Sequence, residues 1–296
     1  MVGVFRRSLS FPNKHPNRPP MSHHIRSISL PCRSHPLVSQ IKDAISELKT
    51  WSTKPDNRTS SWLCDGLSRL KDVHDSLHEI LHLPQTQDSL RNQHEWVETL
   101  LEDFLRFVDV FGIFQTSVMT LKEEQFAAKV AIRKKDDAKI ASYLKSRKRL
   151  AKEMLKLVSA IRCIGQYQVP PPMLASVVDS DLAGVVTDAV RVTMLVTVAL
   201  FNGISTAFAP RKSSWMGLRL SKKANRVKFE EGIQEFQQVG VDSLWGFRKK
   251  GDEQVKVVLM KMQNLEDCIC EIEFASEKVF RSLITTRVSL LNTLTQ

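Results

Sequence analysis

The residues that could do chemistry fall into a few groups. His78-Glu79-Ile80-Leu81-His82 spells H-E-x-x-H. In that pattern two histidines one helical turn apart bind zinc and the glutamate acts as general base. Glu95, Glu98 and Glu102 follow as candidate third ligands. Pro84 closes the helix just after His82 and frays the turn that would hold the metal. No cleft-forming strand is predicted nearby. The pattern is read as chance, with no catalytic residue, no metal site and no cofactor. His74 lies on an apolar stripe and reads as a hydrogen-bonded core histidine; His74, His78 and His82 at i, i+4 and i+8 could hold a transition metal only adventitiously.

A second group is a doubled serine motif. Residues 7–12 read R-S-L-S-F-P and residues 26–31 read R-S-I-S-L-P. Both are R-S-x-S-x-P, resembling the phosphoserine motif bound by 14-3-3 proteins. Arg7 and Arg26 would guide a kinase, Ser10 and Ser29 would carry phosphate, and Pro12 and Pro31 would turn the chain out of a groove. A phosphate offers three strong acceptors to an arginine cluster on the partner. The two serines are separated by about 60 Å of extended chain, enough for one tail to occupy both grooves of a dimeric reader.

A third group is basic. Arg211, Lys212, Arg219, Lys222, Lys223, Arg226 and Lys228 occur with no acid between Ala189 and Phe229. They follow the uncharged stretch 192–209, which is at the lower length limit for a membrane span. The stretch reads as a buried core helix; the alternative is a peripheral membrane segment whose basic neighbour meets anionic lipid. Lys134-Lys135 and Lys145-Ser-Arg-Lys-Arg149 resemble a bipartite nuclear-import signal. Aromatic interleaving is absent there apart from Tyr143, so nucleic-acid binding is not expected and a solvated helix face is. Five cysteines, an odd number without C-x-x-C, fit reduced thiols and neither a disulfide framework nor a zinc ribbon. Cys268 and Cys270 point to different helix faces. The scattered glycines form no phosphate loop.

The elements that carry these groups are helical. The chain has 296 residues, 42% apolar and 25% charged, a net charge of +11, and only 11 glycines and 12 prolines. That balance suits a soluble helical protein and excludes collagen-like, low-complexity and turn-rich β classes. Residues 1–35 form a basic Ser/Pro-rich tail expected to be disordered, with no acid before Asp43. The tail's composition also fits a plastid transit peptide, and it lacks the apolar core of a secretory signal. Residues 36–296 are a helical body. A first helix starts at Pro36 and stops near Trp51. A second carries Leu63, Leu67, Leu70, His74, Leu77 and Leu81 and ends at Pro84. A third starts near Asp88. From Ile113 to Ile164 neither Gly nor Pro occurs, and the apolar phase slips at 133–137, where a bend or a coiled-coil stutter is expected. The prolines within 165–172 mark a subdomain break. Residues 173–209 are apolar and helical, and 210–251 are basic and irregular. From Asp252 onward Val255, Val258, Met262, Leu265, Ile269, Ile272, Val279, Leu283 and Leu290 hold a heptad seam, predicted to support self-association through 252–294. The expected fold is all-α, an elongated bundle of long antiparallel, coiled-coil-like helices.

Several stretches in fixed order resemble one plant-specific family, the BYPASS-like proteins. They are R-S-I-S-L-P-C-R-S-H-P over 26–36, W-L-C-D-G-L over 62–67, I-L-H-L-P-Q-T-Q over 80–87, the run 96–109, and the acidic-to-basic stretch 121–150. The resemblance implies an all-helical, non-enzymatic protein linked to root and shoot development, with no known catalytic residues. It also implies that the R-S-x-S-x-P copy at 26–31 belongs to the family's opening, leaving the copy at 7–12 as the extra one. The family-like stretch around His78 and His82 usually carries carboxylates at those positions. The expected setting is cytoplasmic, with plastid, membrane surface and nucleus as alternatives.

Overall fold

The computed structural model describes residues 35–53, 58–165, 177–208, 232–244, 246–247 and 250–295. The predicted disordered tail, most of the predicted break at 165–172 and the basic run 211–228 lie outside them. Among the described residues there is no strand, and the all-α expectation holds.

Helices α1 (Pro36–Thr53) and α2 (Ser60–Leu81) form an antiparallel hairpin. Pro36 opens α1, where its missing N–H costs nothing. Thr59 caps α2 by accepting from the Trp62 N–H. Glu235, from a distant turn, accepts from the Ser60 N–H at 3.0 Å and adds a charged cap. Pro84 ends α2 as expected. It also sits in the first turn of a short helix, α3 (Pro84–Arg91), that the sequence reading merged with its successor. The long helix α4 (His94–Arg133) starts after a turn at Asn92–Gln93.

The expected bend near 133–137 is instead a complete reversal. Lys135 adopts φ 49°, and α5 (Asp137–Ile161) runs back along α4. Asp136 caps α5 through the Lys139 N–H. A left-handed lysine is unfavourable alone, but its Nζ donates to the Lys250 carbonyl at 3.2 Å and meets the Asp252 carboxylate at 2.9 Å. The turn is therefore held by distant chain, which local sequence cannot announce.

Helix α6 (Val177–Ser205) continues into a 3-10 turn at Thr206–Phe208. It runs parallel to α1, tied by Lys42–Asp181 and Lys49–Asp188 ion pairs. Phe114 of α4 and Phe201 of α6 meet at 5.3 Å. The stretch expected to be irregular contains a one-turn helix, α7 (Gln234–Gln238), and a 3-10 turn at Val241–Leu244.

Helix α8 (Asp252–Thr295) is the long C-terminal rod expected from the pattern. It packs parallel to α2 and antiparallel to α4. All nine predicted seam positions are buried, and the heptad gaps at Ser276, Thr286 and Thr293 are buried too. Small hydroxyl residues there keep the register while letting α2 and α4 approach closely. The seam is thus occupied by helices of the same chain. What α8 turns outward is a different set, including Met260, Phe274 and Val288.

Candidate functional site

The buried polar groups concentrate in two places. The first surrounds His74. Its Nε2 lies 2.9 Å from Thr193 Oγ1 of α6, and its Nδ1 lies 3.5 Å from Thr286 Oγ1 of α8. The ring meets Phe104 edge-on at 5.8 Å. Complete burial pushes its pKa down to about 4, against a small upward pull from Asp75. His74 is a neutral structural histidine, as expected. Asp75 accepts from Ser282 at 2.8 Å and pairs with Lys71. Burial raises its carboxyl, and these hydrogen bonds outweigh that and hold it low.

His78 and His82 do not converge on a common point with a third ligand. His78 Nδ1 lies 2.7 Å from Ser289 Oγ, and His82 Nδ1–H donates to the His78 carbonyl oxygen at 2.8 Å. Their rings stack edge-on at 4.3 Å. Among the described residues no group of three or more His, Cys, Asp or Glu could hold a metal. Burial disfavours the thiolate forms of Cys64 and Cys268. Burial, with Glu271 nearby, pushes Cys64 up to about 11, and burial also raises Cys268.

The second polar centre was not anticipated. Arg147 stands in the middle of Lys145-Ser-Arg-Lys-Arg149, read from sequence as a solvated face, yet it is 1% exposed. Its guanidinium lies between the rings of Phe208 and Phe236, at 4.5 and 5.0 Å, and none of its nitrogens has a hydrogen-bond partner among the described residues. Burial lowers its pKa, with Tyr143 and Glu124 pulling the other way. Next to it, Tyr143 donates to Gln125 Oε1 at 2.6 Å, and Gln125 Nε2 donates to the Met262 carbonyl at 3.0 Å. The signal was present in the spacing: Arg147 falls between Tyr143-Leu144 and Leu150-Ala151, in phase with the buried face of α5.

The outer surface offers shallow open grooves. One, of about 300 Å³, lies between α2 and α8, with Cys64, Leu67 and Ala275 in it and Phe274 on its edge. Another, of about 290 Å³, lies between α4 and α5 over Leu121 and Leu150, with Glu124, Arg149 and Glu153 on its walls. Neither brings together an acid, a base and a nucleophile in a water-excluded pocket.

The sequence-predicted docking residues Arg7, Ser10, Pro12, Arg26, Ser29 and Pro31 lie outside the described residues, as do Arg211, Lys212, Arg219, Lys222 and Lys223. The apolar stretch before the latter is described up to Phe208. Helices His94–Arg133 and Ser180–Phe208 are both long and apolar enough to cross a membrane, and most of the second is buried in the bundle. Its threonines are compatible with a core because Thr193 and Thr197 donate to the Ala189 and Thr193 carbonyls.

The model of a protein family described as Protein BPS1 matches residues 66–293. No curated protein and no solved structure matches the chain.

Proposed function

The chain belongs to the BPS1 family, and from that premise we propose that it is a non-catalytic helical interaction protein whose N-terminal tail docks phosphoserine readers. The family is not a known enzyme family. The observation that carries the reading is the doubled R-S-x-S-x-P, with Ser10 and Ser29 spaced for a two-grooved partner of the 14-3-3 type. The helical body supports it by supplying fixed surfaces: exposed Phe126, Met260 and Phe274 and the two grooves. The family resemblance links this activity to root and shoot development, and the proposed setting is cytoplasmic. Self-association, if it uses α8, would use its outward residues, since the heptad seam is taken.

A pull-down from plant extract with and without phosphatase tests the reading. Capture of a 14-3-3-type protein should require phosphorylation and be lost in Ser10→Ala plus Ser29→Ala. Capture indifferent to both treatments rejects it. The alternative, a peripheral membrane-associated protein using 192–209 and 211–228, is weakened by the internal packing of residues 192–208, which takes its apolar element.

A further inference from the structure

The outward face of α5 is a row of cations. Lys145, Lys148, Arg149, Lys152 and Lys156 are all exposed. At 100° per residue they fall within about 60° of one direction, along about 16 Å of helix. The other exposed residues on that arc, Ala138, Ala141 and Ser159, are small and neutral, and Ser142 and Ala160 on one side and Leu155 on the other flank it. Acids sit to the side. Glu153 is about a quarter-turn away, and Glu124 of α4 is engaged by Ser146 and approached by Arg149 at 4.0 Å. Lys145, Lys148, Lys152 and Lys156 have no acidic partner among the described residues.

We infer that this row is a docking surface for the anionic headgroups of a lipid bilayer. The row is straight, convex and made mainly of lysine. Lysine is a mobile point charge, whereas recognition of a fixed phosphate or carboxylate favours the arginine fork. Lysine is also depleted from protein–protein interfaces. The stacking aromatics that single-stranded nucleic acid uses are missing, since Tyr143 is buried. Headgroups that diffuse laterally can meet such charges without a preformed pocket. Each lysine held near an anionic leaflet strengthens binding about fivefold. The surface differs from the membrane reading above, because it needs neither the apolar stretch 192–209 nor the run 211–228.

Co-sedimentation of the full chain with phosphatidylcholine vesicles, with and without about 30% phosphatidylserine, tests this. The chain should prefer the anionic vesicles, and added salt should release it. The K145Q/K148Q/K152Q/K156Q variant should bind them at least about 30-fold more weakly, with an unchanged melting curve because none of these side chains supports the fold. The four-lysine-to-arginine variant should retain binding. The inference is overturned if wild type shows no preference for phosphatidylserine, or if the glutamine variant binds as wild type does. It is also overturned if only neutralising Arg211, Lys212, Arg219, Lys222 and Lys223 abolishes binding, or if the glutamine variant loses affinity for polyglutamate or RNA and keeps it for vesicles.

Discussion

The Trp51 indole occupies the space that a side chain at Gly66 would fill: a Cβ built on Gly66 would lie 2.2 Å from Trp51 Cζ2. Trp51 is also stacked on Trp62 at 4.3 Å and donates its Nε1–H to the Trp62 carbonyl at 3.0 Å. One glycine thereby lets the α1–α2 hairpin close around a tryptophan pair. Gly66→Ala should force the indole out and lower stability by about 2 kcal/mol or more, read as a lower urea midpoint. An unchanged midpoint would show that the hairpin can rearrange freely.

Arg147 yields a prediction of the opposite sign. A buried guanidinium without acceptors opposes folding, and its two ring contacts return only part of that. Arg147→Met keeps the volume between Phe208 and Phe236 and removes the charge. It should raise stability by about 1 kcal/mol or more, whereas Arg147→Ala should lower it by opening a cavity. Equal losses in both variants, measured by urea unfolding, would contradict the account.

Gln125 joins α4, α5 and α8 through Tyr143 and Met262. Gln125→Leu leaves the buried Tyr143 hydroxyl without its acceptor and should cost about 1–3 kcal/mol. Tyr143→Phe made on top of it should cost less than it does in wild type. Additive losses in that double-mutant cycle would mean that the 2.6 Å contact carries no coupling.

His74 sets an acid limit. In the unfolded chain it titrates near 6.5, and burial holds it near 4 in the fold. Between those values the unfolded chain binds a proton that the folded chain refuses. Stability from this group is therefore full above about pH 6.5 and falls as the pH is lowered, by about 3 kcal/mol near pH 4. Urea midpoints from pH 7 to 4.5 should show the decline, and His74→Gln should flatten it. A parallel decline in the variant would place the proton elsewhere.

The helices with one clean apolar face were legible. Leu63 to Leu81 and Val255 to Leu290 announced α2 and α8, and Pro36 and Pro84 marked their neighbours' ends. Legibility failed where distant chain makes the decision. Lys135 turns left-handed inside a stretch without Gly or Pro because Lys250 and Asp252 hold it. Arg147 hid among four other basic and polar residues because charge was weighed above phase. The need for Gly66 is invisible in α2 alone, since the Trp51 ring that requires its missing side chain comes from the previous helix. The tail motifs were readable as chemistry alone.

The pairing of α8 with α2 joins Ser282 to Asp75 across 207 positions of chain. During synthesis the faces of α2 and α4 that receive α8 stay uncovered until residues 252–295 leave the ribosome. A nascent chain stalled before residue 252 would therefore leave that apolar surface uncovered, the kind of surface through which incomplete chains aggregate.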